Sequence, residues 1–265
     1  MQEEKGDTYT TSELKRLERK FKLLEKNLKE EVSFSDLLAV RGFREFTYLE
    51  PLDFGGSKLF NMLSKYYIRR FLGDLFLYEN LDEEELDRLT GKWNIKKTFI
   101  DDLLNTGILV EDSNKFVRNP KIHDFSFLIE SFIAYNIKKK FDFDAILNVK
   151  LKELSKGGDI DILAKWKLEL VMIELKESPP NNISLTDLKL TFDRFKSIFP
   201  DLFIFVLDTT LSIKRNIIDN ILKLFEVNPK RIREGVYQVF ENAFIVTAKR
   251  DLVSNVLFVI EKIIL

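Results

Sequence analysis

The sequence predicts an α/β fold, a mixed sheet flanked by helices, with a mainly helical N-terminal part. Three observations carry that expectation. Between residues 145 and 207 the chain holds strand-like runs, some alternating with a period of two and some continuously apolar, the latter suited to strands covered on both faces. Apolar residues at helical spacing lie on either side of these runs. Before residue 105 the patterns are almost all helical. With 265 residues, 45% of them hydrophobic and 32% charged, the chain can build one large or two modest cores and reads as globular.

Residues 11–31 read as a helix capped by Thr11 or Ser12. Leu14, Leu17, Phe21, Leu24 and Leu28 form a narrow apolar seam at coiled-coil spacing over two heptads. This seam either docks on the protein's own body or pairs two chains as a homodimer, so residues 1–32 are set apart as a first unit.

Residues 33–120 form the second unit. Phe34–Val40 reads as a short helix, and 50–56 as a loop. A strongly apolar helix is expected from Ser57 to about Leu72, burying Leu59, Phe60, Leu63, Tyr66, Tyr67 and Phe71. Asp82 opens an acidic helix to Thr90, Gly91 marks a turn, and a third helix runs from about Ile95 to Asn105. Two short strands, Ile108–Val110 and Lys115–Val117, follow.

Asn119-Pro120 marks the boundary to the third unit, 121–265. A helix from Asp124 or Ser126 to about Lys140 precedes a strand, Ala145–Leu151. Asp159–Ala164 and Leu168–Lys176 then form a hairpin around the polar turn Lys165-Trp166-Lys167. A helix from Thr186 or Asp187 to Phe199, the buried strand Leu202–Leu207 and a helix over Ile213–Phe225 come next. Tyr237–Phe240 and Phe244–Thr247 are strand candidates, and a last helix spans Asp251–Ile264.

No cysteine occurs, and His123 is the only histidine. Disulfides, thiolate catalysis, cysteine-ligated clusters and multi-histidine metal sites are therefore excluded. An enzyme built on this chain must work with carboxylates and lysine. The polar start MQEEKGDTYT lacks the apolar core of a signal peptide, and no apolar run approaches the roughly 20 residues of a membrane span. The expectation is a cytoplasmic protein without a membrane partner. Abundant Lys, Glu, Ile and Phe with no Cys suit a hot-living source.

The hairpin is where chemistry concentrates. Side chains two apart on a strand share a face, so Glu174 and Lys176 project together and Leu175 projects oppositely. Asp159 and Asp161 share a face of the neighbouring strand. If the two faces coincide, three carboxylates and a lysine converge. Charge on so apolar a strand is costly unless compensated, and a hard cation such as Mg²⁺ taking carboxylate oxygens is one compensation. A solvated ion pair at a strand edge is the alternative.

Asp161, twelve intervening residues and Glu174-Leu175-Lys176 resemble the PD-(D/E)xK nuclease superfamily, which includes archaeal Holliday-junction resolvases and many restriction enzymes. Glu130, thirty-one residues before Asp161, matches the further glutamate that members often carry on a preceding helix. The order helix, three strands, helix, strand over residues 124–210 matches the family core, which implies a restriction-endonuclease-like sheet. The resemblance implies Asp161, Glu174 and the Leu175 carbonyl as ligands of Mg²⁺ or Mn²⁺, with Glu130 binding directly or through water. It implies that Lys176 orients or deprotonates the attacking water and offsets phosphate charge, with Asp159 as a supporting group behind the ligands. A further basic residue on the next helix is common, and Lys189 and Arg194 are candidates. On this reading, loss of Glu174 relieves carboxylate repulsion and leaves metal-free stability unchanged or raised.

The second unit resembles a winged helix, on "Leu-Leu-Asn-Thr-Gly-Ile-Leu-Val" and the helix–helix–helix–ribbon order. That implies Lys92, Lys96, Lys97 and Thr98 facing the DNA major groove, although acidic neighbours leave protein contact equally open. The leading expectation is a metal-dependent DNA endonuclease positioned on duplex or branched DNA. The alternative is a catalytically inactive nuclease-fold protein serving as a DNA-binding or assembly module. Net charge is −1, so DNA binding needs local patches, of which Lys138, Lys139 and Lys140 form one.

Overall fold

The computed structural model describes residues 18, 21–22, 31–53, 58–113, 115–154 and 158–265. The proposed seam from Leu14 to Leu28 therefore lies almost wholly outside the described residues, and the homodimer with it.

Ser33 caps α1 (Phe34–Ala39) through a reciprocal pair of bonds with Asp36. Leu37 and Leu38 fasten this helix to the core beneath the large sheet. β1 (Phe46–Leu49), a stretch to which the sequence patterns assign no element, pairs antiparallel with the strand that follows the first long helix, Phe46 opposite Leu151 and Leu49 opposite Leu147. Residues 33–49 thus build onto the large sheet, not onto the helical unit expected for 33–120. The four residues of β1 are exposed or half-buried, as on an edge strand, and show no alternation of burial.

The helix expected over 57–72 is two helices, α2 (Lys58–Leu63) and α3 (Tyr66–Leu75). Lys65 between them is extended, with φ −82° and ψ 120°. The break has a tertiary cause. Arg69 Nη1 donates to the Leu63 and Ser64 carbonyls at 2.6 and 2.9 Å, taking acceptors that a continuous helix would use itself. Its Nε and Nη2 grip Asp208 at 2.8 Å each. Tyr67, expected inside, is 47% exposed.

β2 (Asn80–Leu81), α4 (Glu83–Trp93), α5 (Lys97–Asn105), β3 (Leu109–Asp112) and β4 (Lys115–Arg118) complete the helical unit, with a small sheet in the order β2-β4-β3. Asp82 caps α4 reciprocally with Glu85. α4 continues through Gly91, where a turn was expected, and stops at Asn94, whose left-handed backbone (φ 51°) asparagine tolerates.

α6 (Phe125–Phe141), capped by Asp124, leads into β5 (Asp144–Leu151), β6 (Ile160–Trp166) and β7 (Glu169–Lys176). The turn of this hairpin falls at Lys167, φ 53°, not at 165–167. Lys165 is a buried strand residue held by Asp144 at 2.6 Å and Glu31 at 3.1 Å. α7 (Leu185–Ile198), capped by Ser184 with Asp187, precedes β8 (Leu202–Leu207), all six residues of which are buried. A π-helical turn, Lys214–Ile218, runs into α8 (Asp219–Phe225). β9 (Lys230–Arg233), β10 (Val236–Phe240), β11 (Ala243–Thr247) and α9 (Leu252–Ile263) close the chain. β9 was not expected from the sequence.

The fold is mixed α/β. One eight-stranded sheet runs β1-β5-β6-β7-β8-β11-β10-β9, with β8 parallel to both β7 and β11 and every other pairing antiparallel. α6, α9 and the helical unit pack on one face, on Ile162, Ile173, Ile204 and Val206. α1, α7 and α8 pack on the other, on Leu163, Met172, Phe203 and Phe205. Each fully buried aliphatic or phenylalanine side chain contributes about 1.5–3 kcal/mol, so the continuously apolar strands are explained by two covered faces. Among the described residues no helix is long and apolar enough to cross a membrane.

Candidate active site

The β6–β7 pairing begins at Ile162 opposite Ile173, and one step further Asp161 stands across from Glu174. Glu174 projects on the α7 face, where Arg194 of that helix meets it. There the ladder gives way. The Leu175 N–H goes to the Asp161 carboxylate at 2.5 Å in place of a strand partner. N–H and C=O of one strand residue leave on the same edge, so the Leu175 carbonyl lies at this parting of the strands. The Leu175 side chain packs into the opposite core.

Glu174 is fully buried. One oxygen accepts from Arg194 Nη2 at 2.7 Å, while Oε1 is buried without a hydrogen-bond partner. Burial, then the Asp161 charge, push the Glu174 carboxyl up to about 8, with Arg194 and Lys176 pulling the other way. Burial also raises Asp161, opposed by the Leu175 N–H, Lys176 and Arg194.

Glu130 approaches from α6, buried at 3% exposure, and accepts from Asn148 Nδ2 at 2.8 Å. Asn148 makes this reach from a left-handed backbone, φ 49°, within β5. Burial first, then Asp161, Asp124 and Glu177, push Glu130 up to about 9. Glu177, directly after β7, is a group sequence reasoning missed. Its Oε2 accepts from Ser126 Oγ at 3.2 Å and its Oε1 is buried and unpartnered. Burial and the Asp208 charge push it up to about 7. A glutamate beside the Glu-x-Lys tripeptide was the available signal, but it lies past the strand's end, where alternation no longer tells the face.

Lys176 ends β7 and, with Arg194, lines a 270 Å³ cleft bordered by Gly158, Asp187 and Thr191. Asp159 precedes β6. Its carboxylate turns to Lys150 at 3.4 Å and its backbone carbonyl accepts from Arg194 Nη1 at 2.9 Å. Of the two basic candidates on the following helix, Arg194 enters the site, and Lys189 pairs with Asp193 on the surface at 2.7 Å. The fold thus gathers Asp161, Glu174, Lys176 and Arg194, with Glu130 and Glu177 acting electrostatically on the same cluster.

The oxygen-only donor set, the partnerless Glu174 Oε1 and the upward push on Glu130, Asp161, Glu174 and Glu177 fit a hard divalent cation. Among the described residues, however, no three acidic or histidine side chains stand close enough together to cage a metal as they are placed. Arg194 Nη2 holds the other Glu174 oxygen, Oε2, at 2.7 Å.

The nucleic-acid candidates lie elsewhere. Lys92 sits in the last turn of α4 and pairs with Asp74 at 2.7 Å. Lys97 opens α5 and pairs with Asp87 at 3.1 Å, and Lys96 just before it is exposed. Lys138, Lys139 and Lys140 occupy the last turn of α6, where they complement its negative end. They are about 12–15 Å along the helix from Glu130. Lys138 and Lys139 line a separate 920 Å³ cleft, and Lys140 pairs with Glu261 at 2.9 Å.

No known protein family and no curated protein matches the sequence. Solved structures of similar fold include the following two. Can2 from Sulfobacillus thermosulfidooxidans, in complex with cyclic tetra-adenylate, is 11% identical over 88% of this chain and 60% of its own, with a TM-score of 0.50. Protein VC1899 from Vibrio cholerae is 15% identical over 69% of this chain and 53% of its own, with a TM-score of 0.42. This chain therefore spans between about half and three fifths of the chains it matches. At such identities the likeness concerns fold alone. A large mixed sheet flanked by helices agrees with the restriction-endonuclease-like α/β class.

Proposed function

We propose that the chain is a divalent-cation-dependent nuclease that hydrolyses phosphodiester bonds in DNA. The observation that carries this reading is Glu174 Oε1, fully buried and unpartnered, across the parted strand ends from Asp161. A cation of the Mg²⁺ or Mn²⁺ class supplies an activated water and stabilises charge on the phosphate. Asp161, Glu174 and the Leu175 carbonyl would hold it, with Glu130 behind them. Lys176 borders the cleft, where its ammonium offsets phosphate charge and orients the attacking water. The attacking water's oxygen would form the new P–O bond as one ester P–O bond breaks, its proton would pass to solvent, and the departing oxygen would take a proton from solvent. The helical unit within 33–120, read as a winged helix, would place the site on duplex or branched DNA through Lys96 and its neighbours.

One observation favours the second reading, a nuclease-fold module without activity. Arg194 neutralises Glu174 in the way a retired site would. Incubation with linear, branched and single-stranded DNA, in Mg²⁺, Mn²⁺ or chelator, separates the two. The nuclease reading predicts metal-dependent cleavage that falls about a thousandfold or more in Asp161→Asn. No cleavage of any substrate by the wild type would support the module.

A further inference from the structure

We propose that Arg194 is an exchangeable counter-ion. It neutralises Glu174 while the site is without metal, and on cation binding it swings into the adjacent cleft to take a substrate phosphate. The inference rests on the nuclease reading above.

Four features of this chain support it. Glu174 is fully buried, and a carboxylate so placed needs a cationic partner. Arg194 Nη2 provides one at 2.7 Å from a side chain itself only 10% exposed. The guanidinium is incompletely satisfied there: Nη1 donates to the Asp159 carbonyl at 2.9 Å, but Nε is buried with no partner. A planar fork with a spare donor suits bidentate capture of a phosphate. Finally, the 270 Å³ cleft beside it, bordered also by Lys176, gives the group a volume to enter. A cation on the open Oε1 would neutralise the carboxylate and repel the guanidinium held on Oε2, which loosens Arg194 from Glu174. The exchange also accounts for the absence of a ready metal cage among the described residues.

The test uses metal-stripped full-length protein, with calorimetric titration of Mn²⁺ into wild type and Arg194→Met at constant pH, without nucleic acid. Removing the competing charge should tighten Mn²⁺ binding by about tenfold or more. A short DNA duplex titrated with Ca²⁺ present should bind the variant about tenfold more weakly. These opposite signs separate exchange from a structural clamp, whose loss would weaken both. Mn²⁺ affinity equal to or weaker than wild type in a folded Arg194→Met would overturn the proposal while leaving the nuclease reading intact. No Mn²⁺ uptake by either protein would overturn both. Should Arg194→Met not fold, the wild type decides alone. The Arg194 Nε–H resonance, assigned with Arg194→Lys, must shift on Mg²⁺ addition, and a fixed resonance overturns the exchange.

Discussion

Glu174 has one oxygen on Arg194 and the other on nothing, although both are buried. This arrangement reverses the stability expected from repulsion between clustered acids. Glu174→Ala leaves the Arg194 guanidinium buried without its partner, which should cost about 3 kcal/mol or more in the metal-free protein. Glu174→Gln keeps an acceptor for Arg194 and should cost distinctly less, while still removing the anionic ligand. Urea unfolding in chelator distinguishes them, and an alanine variant as stable as wild type would show that the pair is not a real one. Asp161, Glu174 and Lys176 were legible because period-two alternation tells which residues share a strand face. Asn148 was not legible, because its reach to Glu130 depends on a left-handed backbone that asparagine permits but the sequence does not announce.

At the scale of elements, Arg69 joins α3 to the end of β8 through Asp208, both nearly unexposed (1% and 3%). Breaking a buried pair is costly, whereas replacing both members with apolar groups is often close to neutral. Arg69→Met should therefore lose about 3–5 kcal/mol, and Arg69→Met with Asp208→Leu should recover much of it. Additive losses in that double-mutant cycle would show that the two residues are not coupled. The same contact explains why the break between α2 and α3 could not be read locally: its cause lies 139 residues away. β1 and β9 escaped for another reason, since four-residue edge strands with no buried residue lack the alternation that marked β6 and β7. The caps Ser33, Asp82, Asp124, Ser184 and Asp251 are each local devices. That locality is why most helix starts were legible. On α5, Lys97 is already paired with Asp87, so Lys96 is the freer of the two for phosphate. Lys96→Ala with Lys97→Ala should weaken DNA binding across sequences and flatten its salt dependence. Unchanged affinity and slope would assign this unit to protein contact.

Across the whole molecule, the buried acids make stability fall as pH rises. Glu130, Glu174 and Glu177 sit at about 9, 8 and 7, against 4.5 for an ordinary glutamate. The folded state thus holds more protons than the unfolded state between pH 4.5 and about 9, and the slope of unfolding free energy is negative there. This stability is complete below pH 4.5 and is lost as pH climbs through the folded values. Metal-free protein should melt higher at pH 6 than at pH 8.5, and Glu130→Gln should remove part of the difference while keeping the Asn148 bond. A melting temperature that rises over this range would refute the buried cluster. A cation bound among these carboxylates would offset the penalty at alkaline pH. Thermal melting at pH 8 in chelator and in Mn²⁺, for wild type and Asp161→Asn, is the most direct test of the central claim. The account predicts that Mn²⁺ stabilises the wild type, by about 2.7 kcal/mol at a hundred times its Kd, and leaves Asp161→Asn nearly unmoved. Equal melting of the wild type in chelator and in Mn²⁺ would contradict it.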